Sequence, residues 1–493
     1  MSRSTPLPLP PTAPPRPAAL VLCALLAGCA VGPDFERPAP PQVDAYAAPR
    51  DASAPIGAQR LQEGADIPAQ WWQLFRSEAL DQLVRQALQA SPTLEQARAR
   101  LRQANEDLNA ETGGRMLPQV NGNLSATRQK VDPAAFGVPV AEQPPPFTLY
   151  NASIDVSYTL DVFGGNRRAL EGLGAQADYQ AHELQAARMS LAANVVTAAI
   201  RQADLSERLT DTRALLAAQE RQQDIMRQRQ QAGGVSEADL RNQELLVAQT
   251  RATLPPLEYQ LAQATHQLAA YLGLAPAELR SAPLRLADLT LPADVPTGVP
   301  SALTRQRPDI LAAEALWHQA SANVGVAVAN QYPQFTLTAS FGSQRTRVGD
   351  LSNGLNVWSL GLGLVQPLFH GGELRARTRS AEAAYDAAAA GYRQTVLEGF
   401  RQVADALRAV QTDGDAYLAS DEAWRRADEA ERIAQGRYQA GGISHLSLLD
   451  SQRQLLQTRI ARTAADAARH ADTAALLQAL GGGWWNETPA DAP

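Results

Sequence analysis

The chain is poor in lysine, with Lys130 the only one, and its 44 Lys plus Arg are outnumbered by 51 Asp plus Glu. No basic tract able to grip phosphate stands out, which argues against a nucleic-acid partner. Cysteine is almost absent: Cys23 and Cys29 cannot make a disulfide framework. No apolar run reaches the ~18 residues of a membrane-spanning helix, and mean hydropathy is −0.26. Disorder is excluded by the other side of the balance, 45% hydrophobic residues and a net charge of only −7 over 493 residues. That length allows about three ordinary domains or one large construction. Marks of enzymatic chemistry are missing too. The six histidines (His182, His266, His318, His370, His445, His470) are scattered, without an HExxH pair or a cysteine partner, so no metal site is expected and each reads more simply as packing or surface. No GxxxxGK[ST] loop or GxSxG elbow occurs.

What is present begins with an address. Arg3 and Arg16 flank a Pro-rich start, and Ala18 to Ala27 forms a short apolar core, of signal-peptide length and too short for a bilayer. It ends in Leu26-Ala27-Gly28-Cys29, similar to a bacterial lipobox. Residues 1–28 are therefore read as a lipoprotein signal peptide and Cys29 as the lipidated mature N-terminus; the alternative is a soluble export signal with a chance cysteine. Ala30 rather than Asp follows, which by the usual sorting rule points to the outer membrane. Residues 29–75 read as a tether, Pro- and Ala-rich to about Pro55, followed by a more structured segment.

The rest of the chain is duplicated. Ser91-Pro92-Thr93 recurs as Arg307-Pro308-Asp309, Leu117-Pro118-Gln119 as Tyr332-Pro333-Gln334, and Val162-Phe163-Gly164-Gly165 as Leu368-Phe369-His370-Gly371-Gly372. Gln231-Ala232-Gly233-Gly234-Val235-Ser236 recurs as Gln439-Ala440-Gly441-Gly442-Ile443-Ser444. The first copy spans 76–275 and the second 307–480, with a linker at 276–306 and a tail at 481–493.

Each copy alternates periods in the same way. Strands are expected at about 119–128, 147–162, 334–344 and 356–368. Tyr150, Ala152, Ile154, Val156, Tyr158 and Leu160 alternate with Asn151, Ser153, Asp155, Ser157 and Thr159, and Trp358, Leu360, Leu362 and Leu364 with Val357, Ser359, Gly361 and Gly363. Strict alternation gives one wet and one apolar face. The plain alternative is a half-buried soluble sheet. Two hairpins of roughly ten-residue strands with aromatics near their ends fit transmembrane strands better. Four strands cannot close a barrel, and open edges are not tolerated in lipid. If the strands cross a membrane, several chains share one barrel, and three copies would give twelve strands.

Helices are expected at 92–115, 166–232 and 236–272, then at 308–331, 373–440 and 444–480. The long ones hold no proline and would each extend about 100 Å. The two shorter helices of each copy together nearly equal the long one, so they can stack end to end along it. Pro255-Pro256 must kink or break its helix.

In order and spacing these features resemble the outer-membrane factor family, the TolC/OprM-like channels, and in particular its NodT-type lipoprotein branch. The resemblance covers nearly the whole mature chain. It rests on the Cys29 lipobox, Gly32-Pro33-Asp34-Phe35, Trp71-Trp72-Gln73-Leu74-Phe75, Arg307-Pro308-Asp309-Ile310 and the paired Gly-Gly turns. It implies a mixed α and transmembrane β fold: a trimer with a twelve-stranded outer-membrane barrel, a periplasmic α-barrel and an equatorial region formed by about 36–75, 276–306 and the tail.

The resemblance further implies a passive exit duct of a tripartite drug or toxic-compound efflux pump, docked by a periplasmic adaptor and powered by an inner-membrane pump of the RND type. No enzymatic activity and no cofactor are expected beyond lipid on Cys29. Adaptor contact falls on the tips, Gly233, Gly234, Val235 and Ser236, then Gly441, Gly442, Ile443 and Ser444 with Arg437 and Tyr438; as a bare pattern these are only tight turns. The periplasmic gate falls on Leu446, Asp450 and Arg453, which share one helical face. Their plain reading is a surface salt-bridge stripe. Two other functions stay open at this point: the exit duct of an ABC-driven type I protein secretion system, and a pore-less periplasmic coiled-coil scaffold.

Overall fold

The computed structural model describes residues 30–41, 43, 45–46, 59–132, 145–280 and 283–487. Cys29 and the leader before it, most of the linker up to 58, Pro133, Pro139 and Pro144 of the first hairpin loop, and the tail from 488 lie outside the described residues.

In chain order the regular elements are β1 (Arg60–Glu63), α1 (Glu78–Ala90), α2 (Pro92–Met116), β2 (Gln119–Gln129), β3 (Phe147–Leu160), α3 (Gly165–Gln231), α4 (Glu237–Ala252) and α5 (Leu254–Tyr271). They continue with β4 (Asp294–Thr297), α6 (Pro300–Gln306), α7 (Pro308–Ala329), β5 (Gln334–Arg345), β6 (Val357–Val365), α8 (Glu373–Gln439) and α9 (His445–Ala479). The two longest helices have 67 residues each. The expected bounds differ by more than two residues in two places, while the second strand ends at Leu160 rather than 162 and the helix from Pro308 at Ala329 rather than 331. The fourth strand stops at Val365 instead of 368, because Pro367 has no N–H to give a ladder. The helix expected over 236–272 is interrupted at Thr253, whose hydroxyl donates to the Thr250 carbonyl at 2.7 Å. Pro255 and Pro256 then fall in the first turn of α5, where a missing N–H costs nothing.

The duplicated halves are not the compact units. One unit takes Gln103–Asp178, Ala315–Ala390 and the N-terminal stretch to Arg37; the other takes Pro38–Arg102, Tyr179–Glu314 and Gly391–Pro493. Each draws on both copies.

The first unit contains a four-stranded antiparallel sheet in the order β2-β3-β5-β6. The segment after Cys29 is tied beside it. Val31 N–H donates to the Phe163 carbonyl at 3.1 Å, and Arg168, buried, donates to Asp34 at 2.5 Å and to Glu171 at 2.7 Å. Phe35 stacks on His318 with ring centres 4.6 Å apart. Gly164 has φ +79°, and a Cβ there would meet Ala30 Cα at 2.6 Å, so glycine is required on both counts. This accounts for the Gly-Pro-Asp-Phe motif as a strap.

The second unit holds the apolar core. Leu80, Val84 and Ala87 recur at helical spacing on α1 and are wholly buried with Trp71, Phe75, Leu94, Val195, Ile200, Leu268, Leu303 and Leu477. Ser77 caps α1 by accepting from the Leu80 N–H. The short parallel pair β1 and β4 sits here, with Arg60 opposite Asp294. Arg307 of the Arg-Pro-Asp motif is buried and held by three partners: it donates to the Ala479 carbonyl at 2.8 Å, to Asp309 at 2.6 Å and to Gln402 at 2.8 Å. One arginine thus closes the C-terminal end of α9 and starts α7.

Candidate functional site

The first candidate surface is the sheet. Residues directly opposite in neighbouring strands share a face, and the register gathers the apolar sets of all four strands. Leu124 faces Ala152, Ile154 faces Phe341, Val156 faces Ala339, and Phe341 faces Trp358. Leu337 faces both Tyr158 and Leu362. Among the described residues this face is bare: Trp358 is 81% and Leu362 66% exposed. The other face is polar and internally bonded. Ser340 Oγ donates to Asp155 Oδ1 at 2.6 Å, and Ser153 Oγ to Asp155 Oδ2 at 3.1 Å. Among the described residues β2 and β6 each have one hydrogen-bonded neighbour, which leaves both outer edges open. No described helix is long and apolar enough to cross a membrane.

The second surface is the pair of helical turns. Gly233 and Gly441 adopt φ +72° and +75°, in the left-handed region where a Cβ is strained. Gly234 N–H donates to the Arg229 carbonyl at 2.7 Å and Gly233 N–H to Gln230 at 2.9 Å, while Gly442 and Gly441 do the same to Arg437 and Tyr438 at 2.8 and 3.0 Å. Ser236 accepts from the Asp239 N–H at 3.1 Å and Ser444 from the Ser447 N–H at 3.2 Å, capping the next helices. Val235 and Ile443 are half-buried, and Arg437 is exposed.

Sequence reasoning missed what joins these turns. His445, buried behind Ser444, bonds through Nε2 to Gln243 Oε1 at 3.2 Å, and Gln243, wholly buried, donates to the Gln219 carbonyl at 2.9 Å. Tyr438 lies on the same imidazole, ring centres 5.3 Å apart. Burial pushes His445 below the usual histidine pKa, against the smaller opposing pull of Asp239. A polar side chain directly after a helix cap was the only available signal.

The third surface is α9 itself. Leu446, Asp450 and Arg453 stand on its exposed face, with Leu448 and Leu449 buried on the other. Within the chain Asp450 pairs with Arg453 one turn on. Further along, α9 is held from two sides. Arg459 reaches Asp211 of α3 at 2.6 Å, and Arg462 reaches Asp421 of α8 at 2.6 Å while covering the Trp424 ring at 4.8 Å. Asp472 of α9 lies against Asp413 of α8; burial first, then that second carboxyl, pushes its pKa up to about 7. The chemistry of these three surfaces is packing, charge and hydrogen bonding.

A family model described as "Outer membrane efflux protein" matches residues 83–274 and 299–482. The pyoverdine export outer membrane protein OpmQ of Pseudomonas putida is 33% identical over 421 residues, covering 85% of this chain and 89% of OpmQ. The outer membrane protein OprJ of Pseudomonas aeruginosa is 32% identical over 473 residues, covering 95% of each. Among solved structures, the outer-membrane channel OprN is similar with a TM-score of 0.83 and 30% identity, covering 92% of this chain and all of OprN.

Proposed function

We infer, from the premise that the chain belongs to the outer membrane efflux protein family, the working form of an outer-membrane efflux channel: three copies of this chain make one passive duct of a tripartite pump. The observation that carries this is the sheet. It has one bare apolar face, one polar face and two open edges, and lipid tolerates such edges only if they are closed by other strands. Three copies give twelve strands, with the apolar face toward lipid and the Asp155-Ser340 face toward a polar lumen.

In that assembly the lipid on Cys29 anchors the N-terminus to the outer membrane, next to the strap at Ala30 to Phe35. The exposed turns Gly233-Gly234-Val235-Ser236 and Gly441-Gly442-Ile443-Ser444, with Arg437 and Tyr438, receive a periplasmic adaptor, and an RND-type inner-membrane pump supplies the energy. Three copies of α9 bring three Leu446 and three Asp450 around the axis. An apolar ring closes by excluding water, and an acidic ring selects by charge. The Arg459-Asp211 and Arg462-Asp421 pairs hold α9 to its neighbours in the resting state, and adaptor binding biases the opening.

Single-channel recording in planar bilayers tests this reading. Purified wild-type protein inserts as a channel of low resting conductance, and replacing Asp450 and Arg453 together by alanine makes it leakier. No conductance from either protein would leave a scaffold; equal conductance would remove the gate from this position.

A further inference from the structure

The duplication also specifies how one copy meets the next, resting on the trimeric reading above. Within the chain the two repeats meet at the β3–β5 seam, where Tyr150 faces Arg345 and Leu160 faces Phe335. Phe163, just beyond that ladder, stacks on Tyr332 with centroids 4.8 Å apart. The repeats equate Phe163 with Phe369 and Tyr332 with Leu117. Yet in the single chain this second pair is uncovered: Phe369 is 88%, Leu368 91% and Leu117 62% exposed. The first repeat's phenylalanine has its lid and the second repeat's does not.

We infer that β6 pairs antiparallel with β2 of the neighbouring copy in the register that seats Phe369 on that copy's Leu117, setting Leu362 opposite Leu124 and Leu360 opposite Ala126. Two independent checks support it. First, the faces agree: Leu360 and Leu362 meet Ala126 and Leu124 on the apolar side, while Ser359, Gly361 and Gly363 meet Thr127, Ser125 and Asn123 on the polar side. A slip of one residue would set Leu362 against Asn123 or Ser125. Second, the barrel closes. Gly122 faces Ile154, Ile154 faces Phe341 and Phe341 faces Trp358; across the inferred seam Trp358 faces Arg128.

One chain therefore advances the ladder by six residues, from 122 to 128. For twelve strands with about 3.3 Å rise and about 4.8 Å spacing, that stagger tilts the strands by about 46°. This is close to the roughly 35–45° of membrane barrels. Superposing the hairpins instead of the phenylalanines would shift the seam by two residues, to Leu364 opposite Leu124, and steepen the tilt to about 54°.

Oxidative cross-linking of paired cysteines in the full-length, membrane-inserted protein tests the register. Mature protein carries only Cys29, so the background is clean. Facing strand positions lie within the span a disulfide bridges. Leu362→Cys with Leu124→Cys should form covalent dimers and trimers at least about tenfold faster than Leu362→Cys with Ala126→Cys or with Gly122→Cys. A shifted pair reacting fastest, or intact trimers with no cross-link at any pair, overturns the register. Absence of trimers in every variant and in wild type would overturn the assembly itself. As a second readout, Phe369→Ala should lower the temperature at which trimers dissociate, whereas Phe163→Ala, which alters a contact made inside one chain, should shift it less; equal shifts contradict the seat.

Discussion

The sheet unit and the helical core unit solve opposite problems with one chain. In the core unit Trp71, Phe75, Leu80, Val84, Ile200 and Leu303 are almost wholly removed from solvent by residues of the same chain. In the sheet unit no described residue covers Trp358, Leu360, Leu362 or Leu364, and among the described residues the outer strand edges carry open hydrogen-bonding groups. The same residue types are therefore finished structure in one region and unfinished surface in the other. Apolar exposure on this scale marks where something else must come, lipid on the face and other strands at the edges.

The contrast is broken most strongly in the core. Phe75→Ala leaves a cavity among fully buried neighbours and should cost about 3–5 kcal/mol, seen as a lower midpoint in thermal unfolding of the purified protein. A midpoint within a degree of wild type would mean that Phe75 is not core. On the sheet, Leu362→Arg should cost about 2–4 kcal/mol if the residue faces the bilayer midplane, read as loss of membrane-inserted protein. Insertion at wild-type level would place that face in water.

The turns should respond by position. Gly441→Val forces a branched residue to φ +75° at about 1–3 kcal/mol and should abolish resistance while trimers persist. Gly442→Ala, whose Cβ would sit 3.5 Å from the Arg437 carbonyl at ordinary contact, should be tolerated. Resistance measurements on both variants check this, and equal loss in both would contradict it.

The smallest effect is the proton shared near Asp472. Its raised pKa means that the folded chain keeps a proton the unfolded chain has released, so this contribution is full below about pH 4 and is lost as pH rises through about 7. Melting points should fall from pH 5 to 8 in wild type and stay flatter in Asp472→Asn. The gap at pH 8 should be about 1 kcal/mol, reduced by partial solvent screening. Parallel pH profiles would remove Asp472 from the account.

Much of this was legible in the residues. Alternation at period two located all four strands because one face of each stays polar, and Gly-Gly-x-Ser located both turns because only glycine accepts the backbone there. That Leu446, Asp450 and Arg453 share one helical face was readable from spacing, and the plain alternative on that face, a salt-bridge stripe, matches the Asp450–Arg453 pair formed within the chain. Helix α1 went unread although Ser77 and the Leu80-Val84-Ala87 spacing announce it. Other features were out of reach for a physical reason. Arg60 meets Asp294, and Gln243 meets His445, across about two hundred residues of chain, and no local pattern encodes such partners. The division into compact units was hidden as well, since each unit takes pieces from both repeats.

The claim beneath all of this is that one chain supplies a third of a closed wall. Native mass measurement of the complex extracted from membranes in mild detergent tests it most directly. The account predicts a heat-sensitive particle of three chains; a monomer that stays folded and membrane-inserted would contradict it.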